Sequence, residues 1–135
     1  MRIVVDTNVL VSSFFGGNPR TIIDLWRDGH VTLCLSREII DEYVDVLIRL
    51  GLGGEQELQE LLGLFGRGVN VVYTAHTPDL QVVAADPDDD KFIACAVALD
   101  AKLIVTDDKA LLAVERYMDI EIVAPKEAAG LLKGH

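Results

Sequence analysis

The chain has 135 residues, with 22 Asp and Glu against 12 Lys and Arg and a formal net charge of −10. Half the residues are hydrophobic and a quarter are charged, which suits one globular domain spanning 1–135 and excludes global disorder. The longest unbroken apolar run, Phe92 to Leu99, is far short of the roughly 20 residues of a membrane span, and the start of the chain meets Asp6 too early for a signal peptide, so a cytoplasmic protein is expected.

In chain order, Arg2 to Val5 is a β-branched run that predicts a buried strand ending at Asp6. Residues 20–28 suit a helix, with Pro19 near its start and Gly29 past its end. Val31 to Leu35 predicts a second strand, and Ser36 an N-cap for a helix to about Leu50. Gly51, Gly53 and Gly54 break that helix, and another is expected from Glu55 to Phe65. Val69 to Tyr73 is a third strand. A polar connection then leads to Asp86-Pro-Asp-Asp-Asp90, and helical periodicity resumes with Phe92, Ile93, Ala96 and Val97. Leu103 to Val105 is a fourth strand, followed by a helix expected over 107–117, a strand at Ile120 to Val123 and a short helix after Pro125. Alternating helices and short apolar strands predict an α/β fold: a central, mostly parallel sheet with helices on both faces. In such sheets the site lies beyond the carboxyl ends of the strands.

Those ends carry acids. Asp6 follows the first strand, Thr106-Asp107-Asp108 the fourth, and Asp88, Asp89 and Asp90 open a helix. Helix capping accounts for Asp6 alone, or for one or two acids at each of the other junctions. It leaves acids over. Glu42 shares a polar stripe with Glu38, Asp45 and Arg49, and periodicity does not single it out. If such acids converge, two charges about 5 Å apart repel by roughly 3 kcal/mol at an effective dielectric of 20. Protons or a cation must then neutralise them, and all-oxygen ligands favour Mg²⁺ or Mn²⁺. Removing one charge, as in Asp90→Asn, is expected to raise metal-free stability by roughly 1 kcal/mol. Cys34 and Cys95 lie in apolar segments, and His30, His76 and His135 are scattered, so buried thiols are expected rather than a zinc site.

Four stretches together resemble a known family. Asp6-Thr7-Asn8-Val9-Leu10 after a hydrophobic strand, Ser36 through Leu47 with Glu42-Tyr43, Asp90-Lys-Phe-Ile-Ala-Cys-Ala, and Leu103-Ile-Val-Thr-Asp-Asp108 resemble, in order and spacing, the motifs of PIN domains. The Asp-Pro-x-Asp-Asp-Lys context and Leu111-Leu112 resemble the toxin-component (VapC-like) branch of toxin–antitoxin systems. The resemblance implies a three-layer α/β/α sandwich and a metal-dependent endoribonuclease leaving 5′-phosphate and 3′-hydroxyl ends. It implies Asp6, Glu42, Asp90 and Asp108 as the catalytic acids holding one or two Mg²⁺ or Mn²⁺ ions. Asn8 and Thr106 are implied as support, and Asp107 as a cap or supporting acid, the choice between the adjacent Asp107 and Asp108 staying open. Asp88 and Asp89 are expected as cap and surrounding charge. An RNA substrate, an antitoxin partner and a homodimer are further expectations.

The acidic balance runs against RNA binding, which usually scales with basic contacts. Lys91 and Lys109 flank site acids and are open to two readings, phosphate contacts or solvent lysines. The alternative from another class is a PIN-like interaction module with little turnover, for which Leu58, Leu61, Leu62 and Phe65 would supply an apolar stripe; ordinary core packing is the competing account of that stripe. A phosphoacceptor receiver domain fits poorly, because Asp6 has no adjacent acid and the third strand ends in Tyr73-Thr74.

Overall fold

A computed structural model describes residues 1–52, 54 and 56–133. Gly53, expected to help break a helix, Glu55, expected to begin the next, and His135 lie outside the described residues.

The elements are β1 (Arg2–Val5), α1 (Thr7–Ser13), α2 (Gly17–Arg27), β2 (Thr32–Ser36), α3 (Arg37–Arg49), α4 (Gln56–Gly66), β3 (Val71–Thr74), a 3₁₀ turn (Pro87–Asp89), α5 (Asp90–Ala98), β4 (Leu103–Val105), α6 (Lys109–Leu112), β5 (Arg116–Tyr117), β6 (Ile120–Val123) and α7 (Pro125–Lys133). The strands form a six-stranded sheet in the order β3-β2-β1-β4-β6-β5. Every neighbouring pair is parallel except β5 with β6. Ile3 sits opposite Leu33 on one side and Leu103 on the other.

Ile3, Val4 and Val5 are all fully buried. Successive strand side chains point to opposite faces, so both faces of the sheet are covered and the expected α/β/α sandwich is present. α5 lies against β1, β2 and β4, and α2 packs on α1 and α7. The chain lays down β1, β2 and β3 in one direction, then returns to set β4 on the other side of β1. The carboxyl ends of β1 and β4 therefore flank the crevice where the strand order reverses, the usual binding position in open α/β sheets. Asp6 leaves one of these strands and Thr106 the other.

Several local expectations change. A short helix, α1, follows β1 at once, with Asp6 as its N-cap. α2 begins at Gly17, ahead of the expected residue 20. The helix expected over 107–117 stops at Leu112, and Arg116–Tyr117 becomes a strand paired antiparallel with β6. Glu115 (φ 66°) and Met118 (φ 55°) adopt left-handed backbone that no helix passes through. Arg116 and Glu121, opposite each other in register, form a 2.7 Å ion pair across the hairpin. The stretch holds no Gly or Pro to announce the stop.

The apolar stripe of α4 is core. Leu58 and Leu61 are buried, and Leu62 and Phe65 pack against the same cluster. The Phe65 ring lies 5.4 Å from Trp26 and 6.2 Å from Tyr43, so these side chains are spent on internal packing. Cys34 and Cys95 are buried free thiols. Burial pushes them up to about 11 and about 12 respectively, so both stay neutral and behave as small hydrophobes. Among the described residues no helix is long and apolar enough to cross a membrane.

Candidate metal centre

Asp6 ends β1 and is almost entirely buried. One oxygen, Oδ1, accepts the Asn8 backbone N–H at 3.3 Å and so caps α1. Its Oδ2 accepts the hydroxyl of Thr106, the first residue after β4. Thr106 Oγ1 also accepts the Asp108 N–H at 3.0 Å. One buried threonine thus straps the ends of β1 and β4 together and sets the two acids beside each other. Burial raises the Asp6 pKa; the bonds from Thr106 and Asn8 oppose this, and the charges of Asp107 and Asp108 add to it. Asp108 Oδ1 caps α6 by accepting the Ala110 N–H at 2.8 Å. Of the adjacent acids, Asp108 faces inward and is half-buried, while Asp107 is exposed.

Capping and clustering therefore coexist on the same carboxylates. Asp86 shows this again: it accepts the Asp88 N–H at 3.2 Å to cap the 3₁₀ turn, and it also faces the site. Asp86, Asp89 and Asp108 each bring a carboxylate oxygen within 4.8 Å of the others. Asp89 was expected as a cap or as surrounding charge. It stands at the N-cap position of α5 yet makes no side-chain capping bond. It is buried, and its Oδ2 has no hydrogen-bond partner as a carboxylate. Burial first, then a side-chain hydrogen bond with Asp108 and the charges of Asp108, Asp86 and Asp6, push its pKa up to about 8. At neutral pH a proton thus does part of the neutralising that the crowding demands.

The other two expected acids are differently placed. Asp90 Oδ1 accepts two backbone N–H groups, from Val82 at 2.9 Å and Val83 at 2.7 Å. It ties the irregular segment ahead of the 3₁₀ turn to the start of α5. Glu42, on α3, has both oxygens engaged: Oε2 accepts the Thr7 hydroxyl, and Oε1 lies 2.7 Å from the Lys91 ammonium. Its neighbour Tyr43 is fully buried and donates its hydroxyl to the Val5 carbonyl, which fixes α3 against the end of β1. Burial keeps that phenol well above its usual range and therefore a donor. Asn8 contributes its backbone N–H, and its side chain is exposed.

The structure brings Asp6, Thr106 and Asp108 together and sets Asp86 and Asp89 beside Asp108, whereas Glu42 and Asp90 are engaged elsewhere. Pro87 after Asp86 marks a tight turn, but stepping back one turn from Phe92 and Ile93 reaches both residue 89 and residue 90, so the pattern alone does not single out Asp89. The donor set fits a hard divalent ion: all ligands are oxygens, they converge, and one buried oxygen has no hydrogen-bond partner while it is a carboxylate.

A family model for the PIN domain matches residues 2–110. The chain belongs to the PIN-domain family, whose members are generally nucleases dependent on divalent metals. No curated protein matches the sequence.

Proposed function

We propose that the protein is a Mg²⁺- or Mn²⁺-dependent endoribonuclease, a cytoplasmic single-domain enzyme that is the toxin component of a toxin–antitoxin pair. The observation that carries the metal-dependent reading is the unpartnered, buried Asp89 Oδ2 beside Asp86 and Asp108. Asp86, Asp89 and Asp108, whose carboxylate oxygens converge, are the preferred metal ligands, with Asp6 completing the set. Glu42 and Asp90, which the family motifs nominate equally, flank it. A bound divalent ion supplies an acidified water and charge stabilisation for the leaving oxygen of a phosphodiester.

The chain's own groups do the rest. Thr106 holds Asp6 and Asp108 in register through its two hydrogen bonds. The exposed Lys109, next to Asp108, has no ion pair among the described residues and is free to meet a phosphate. Lys91 is not: its side chain is only 16% exposed and is committed to Glu42 and Asp88. The toxin role and the antitoxin and homodimer partners rest on the Asp-Pro-x-Asp-Asp-Lys and Leu111-Leu112 resemblance alone.

The deciding experiment is cleavage of end-labelled RNA with Mn²⁺ and with chelator, together with thermal melts of wild type and Asp6→Asn. Ligand at about 100 times its Kd adds about 2.7 kcal/mol of stability. Wild type is expected to be stabilised by Mn²⁺ and to cleave RNA, and Asp6→Asn to lose both. Mn²⁺ stabilisation without cleavage of any RNA would favour the interaction-module reading instead.

A further inference from the structure

Glu42 and Asp89 are both acids at the same end of the sheet, yet their charges are balanced by different means. Both Glu42 oxygens are occupied, one by Thr7 and the other by the Lys91 ammonium at 2.7 Å. Lys91 sits in the first turn of α5, and its side chain is only 16% exposed. It lies 3.5 Å from Asp88 and 5.8 Å from the centre of the Phe92 ring. Beyond it the groove is lined by Glu38, Asp41, Asp45 and Arg49, the last two paired with each other, so acids outnumber cations on this flank and Lys91 is the cation that reaches Glu42. On the other flank, Asp89 Oδ2 is buried with no hydrogen-bond partner as a carboxylate, Asp86 and Asp108 converge on it, and among the described residues no ion pair reaches these three acids.

We infer that Lys91 takes the place of a second metal ion, so that the protein binds a single divalent cation, on the Asp89 flank, with Glu42 serving as the counter-ion of Lys91 rather than as a metal ligand. A lysine ammonium is compact, carries three donors and is fixed by the chain, so it neutralises a carboxylate without the dehydration a second Mg²⁺ demands. Arrival of a second divalent ion at Glu42 would have to displace an ammonium already held at hydrogen-bond distance and pressed against Asp88. The inference rests on the metal-centre reading proposed above.

The test is a count of Mn²⁺ ions bound per full-length chain, read by electron paramagnetic resonance of free Mn²⁺ alongside titration calorimetry. Wild type is expected to bind one. Lys91→Gln is expected to bind a second, weaker ion, and Lys91→Arg to restore a count of one. Glu42→Gln is expected to keep the single ion with affinity changed by less than about tenfold, whereas Asp89→Asn weakens it by about 10- to 100-fold or more. Two ions in wild type, an unchanged count and affinity in Lys91→Gln, or loss of the ion in Glu42→Gln would each overturn the inference. The wild-type count and Glu42→Gln decide it even if Lys91→Gln does not fold. A wild type that binds no Mn²⁺ would instead bring down the metal-centre reading itself, a failure separate from the other three.

Discussion

The two flanks of the site are built from the same parts and end in opposite electrostatic states. On each, a threonine hydroxyl bonds a carboxylate: Thr7 to Glu42 on one, Thr106 to Asp6 on the other. On the Glu42 flank a lysine completes the charge balance within the chain. On the Asp89 flank three carboxylates converge, one oxygen has no partner, and a proton held up to about pH 8 is the internal remedy. The first arrangement is self-sufficient and belongs to the fold. The second is poised to exchange its proton for a stronger cation, which is the condition for a working metal centre.

The largest expected effect tests that contrast directly. Asp89→Asn and Asp108→Asn should each lower Mn²⁺-dependent RNA cleavage by at least about 100-fold, measured by initial rates at saturating metal. A loss of less than tenfold would show that the convergent acids are not where the metal acts. A smaller effect concerns Asp90. The simple repulsion argument expects Asp90→Asn to stabilise the metal-free protein. Its two bonds from the Val82 and Val83 amides reverse the sign. Asp90→Ala should cost about 1.5–3 kcal/mol and Asp90→Asn less, because a charged acceptor of buried amides is lost in the first and weakened in the second. Chemical denaturation in chelator checks it, and a rise in stability for Asp90→Asn would refute the tethering role.

Stability against pH sharpens the comparison further. The folded Asp89 binds its proton up to about pH 8, against an ordinary value of 3.8. Between those values the folded state holds more protons than the unfolded one, so stability falls as pH rises and levels off above about 8. In chelator, the wild-type Tm should therefore drop by a few degrees from pH 5 to pH 8. Asp89→Asn should flatten that slope, gaining about 1 kcal/mol over wild type at pH 9 and little at pH 5. A wild-type Tm that climbs across this range would contradict the assigned state of Asp89. The smallest effect is expected from Lys109→Ala: KM for RNA should rise a few-fold at low salt, with Mn²⁺ affinity unchanged. An unchanged KM would return Lys109 to the class of solvent lysines.

Much of this arrangement was legible before any coordinates. β-branched runs fixed most strands of the sheet, and Asp6, placed directly after β1, reaches the crevice because a strand end leaves little freedom of direction, whereas the choice between Asp107 and Asp108, two and three residues past β4, stayed open. Thr106 was legible for the same reason as Asp6. Asp89 was not separable from Asp90 by type, since the two are adjacent and chemically identical. Which of them turns inward depends on the 3₁₀ turn at Pro87–Asp89, whose rotation per residue differs from that of α5. The pairing of Glu42 with Lys91 joins residues 49 positions apart, and no local pattern announces it. The hairpin at Arg116–Tyr117 was hidden because its two left-handed residues, Glu115 and Met118, are not of the types that usually mark such turns.

The single tryptophan has a practical consequence of its own. Trp26 is fully buried, and its indole N–H donates to the carbonyls of Val69 and Asn70, just ahead of β3. That is the amino end of the parallel strands, opposite the acids. Its fluorescence therefore reports whether α2, α4 and β3 are assembled and is remote from whatever occupies the other end. An emission spectrum unchanged on adding Mn²⁺, in a sample whose unfolding midpoint moves, would separate occupancy from conformation within one cuvette.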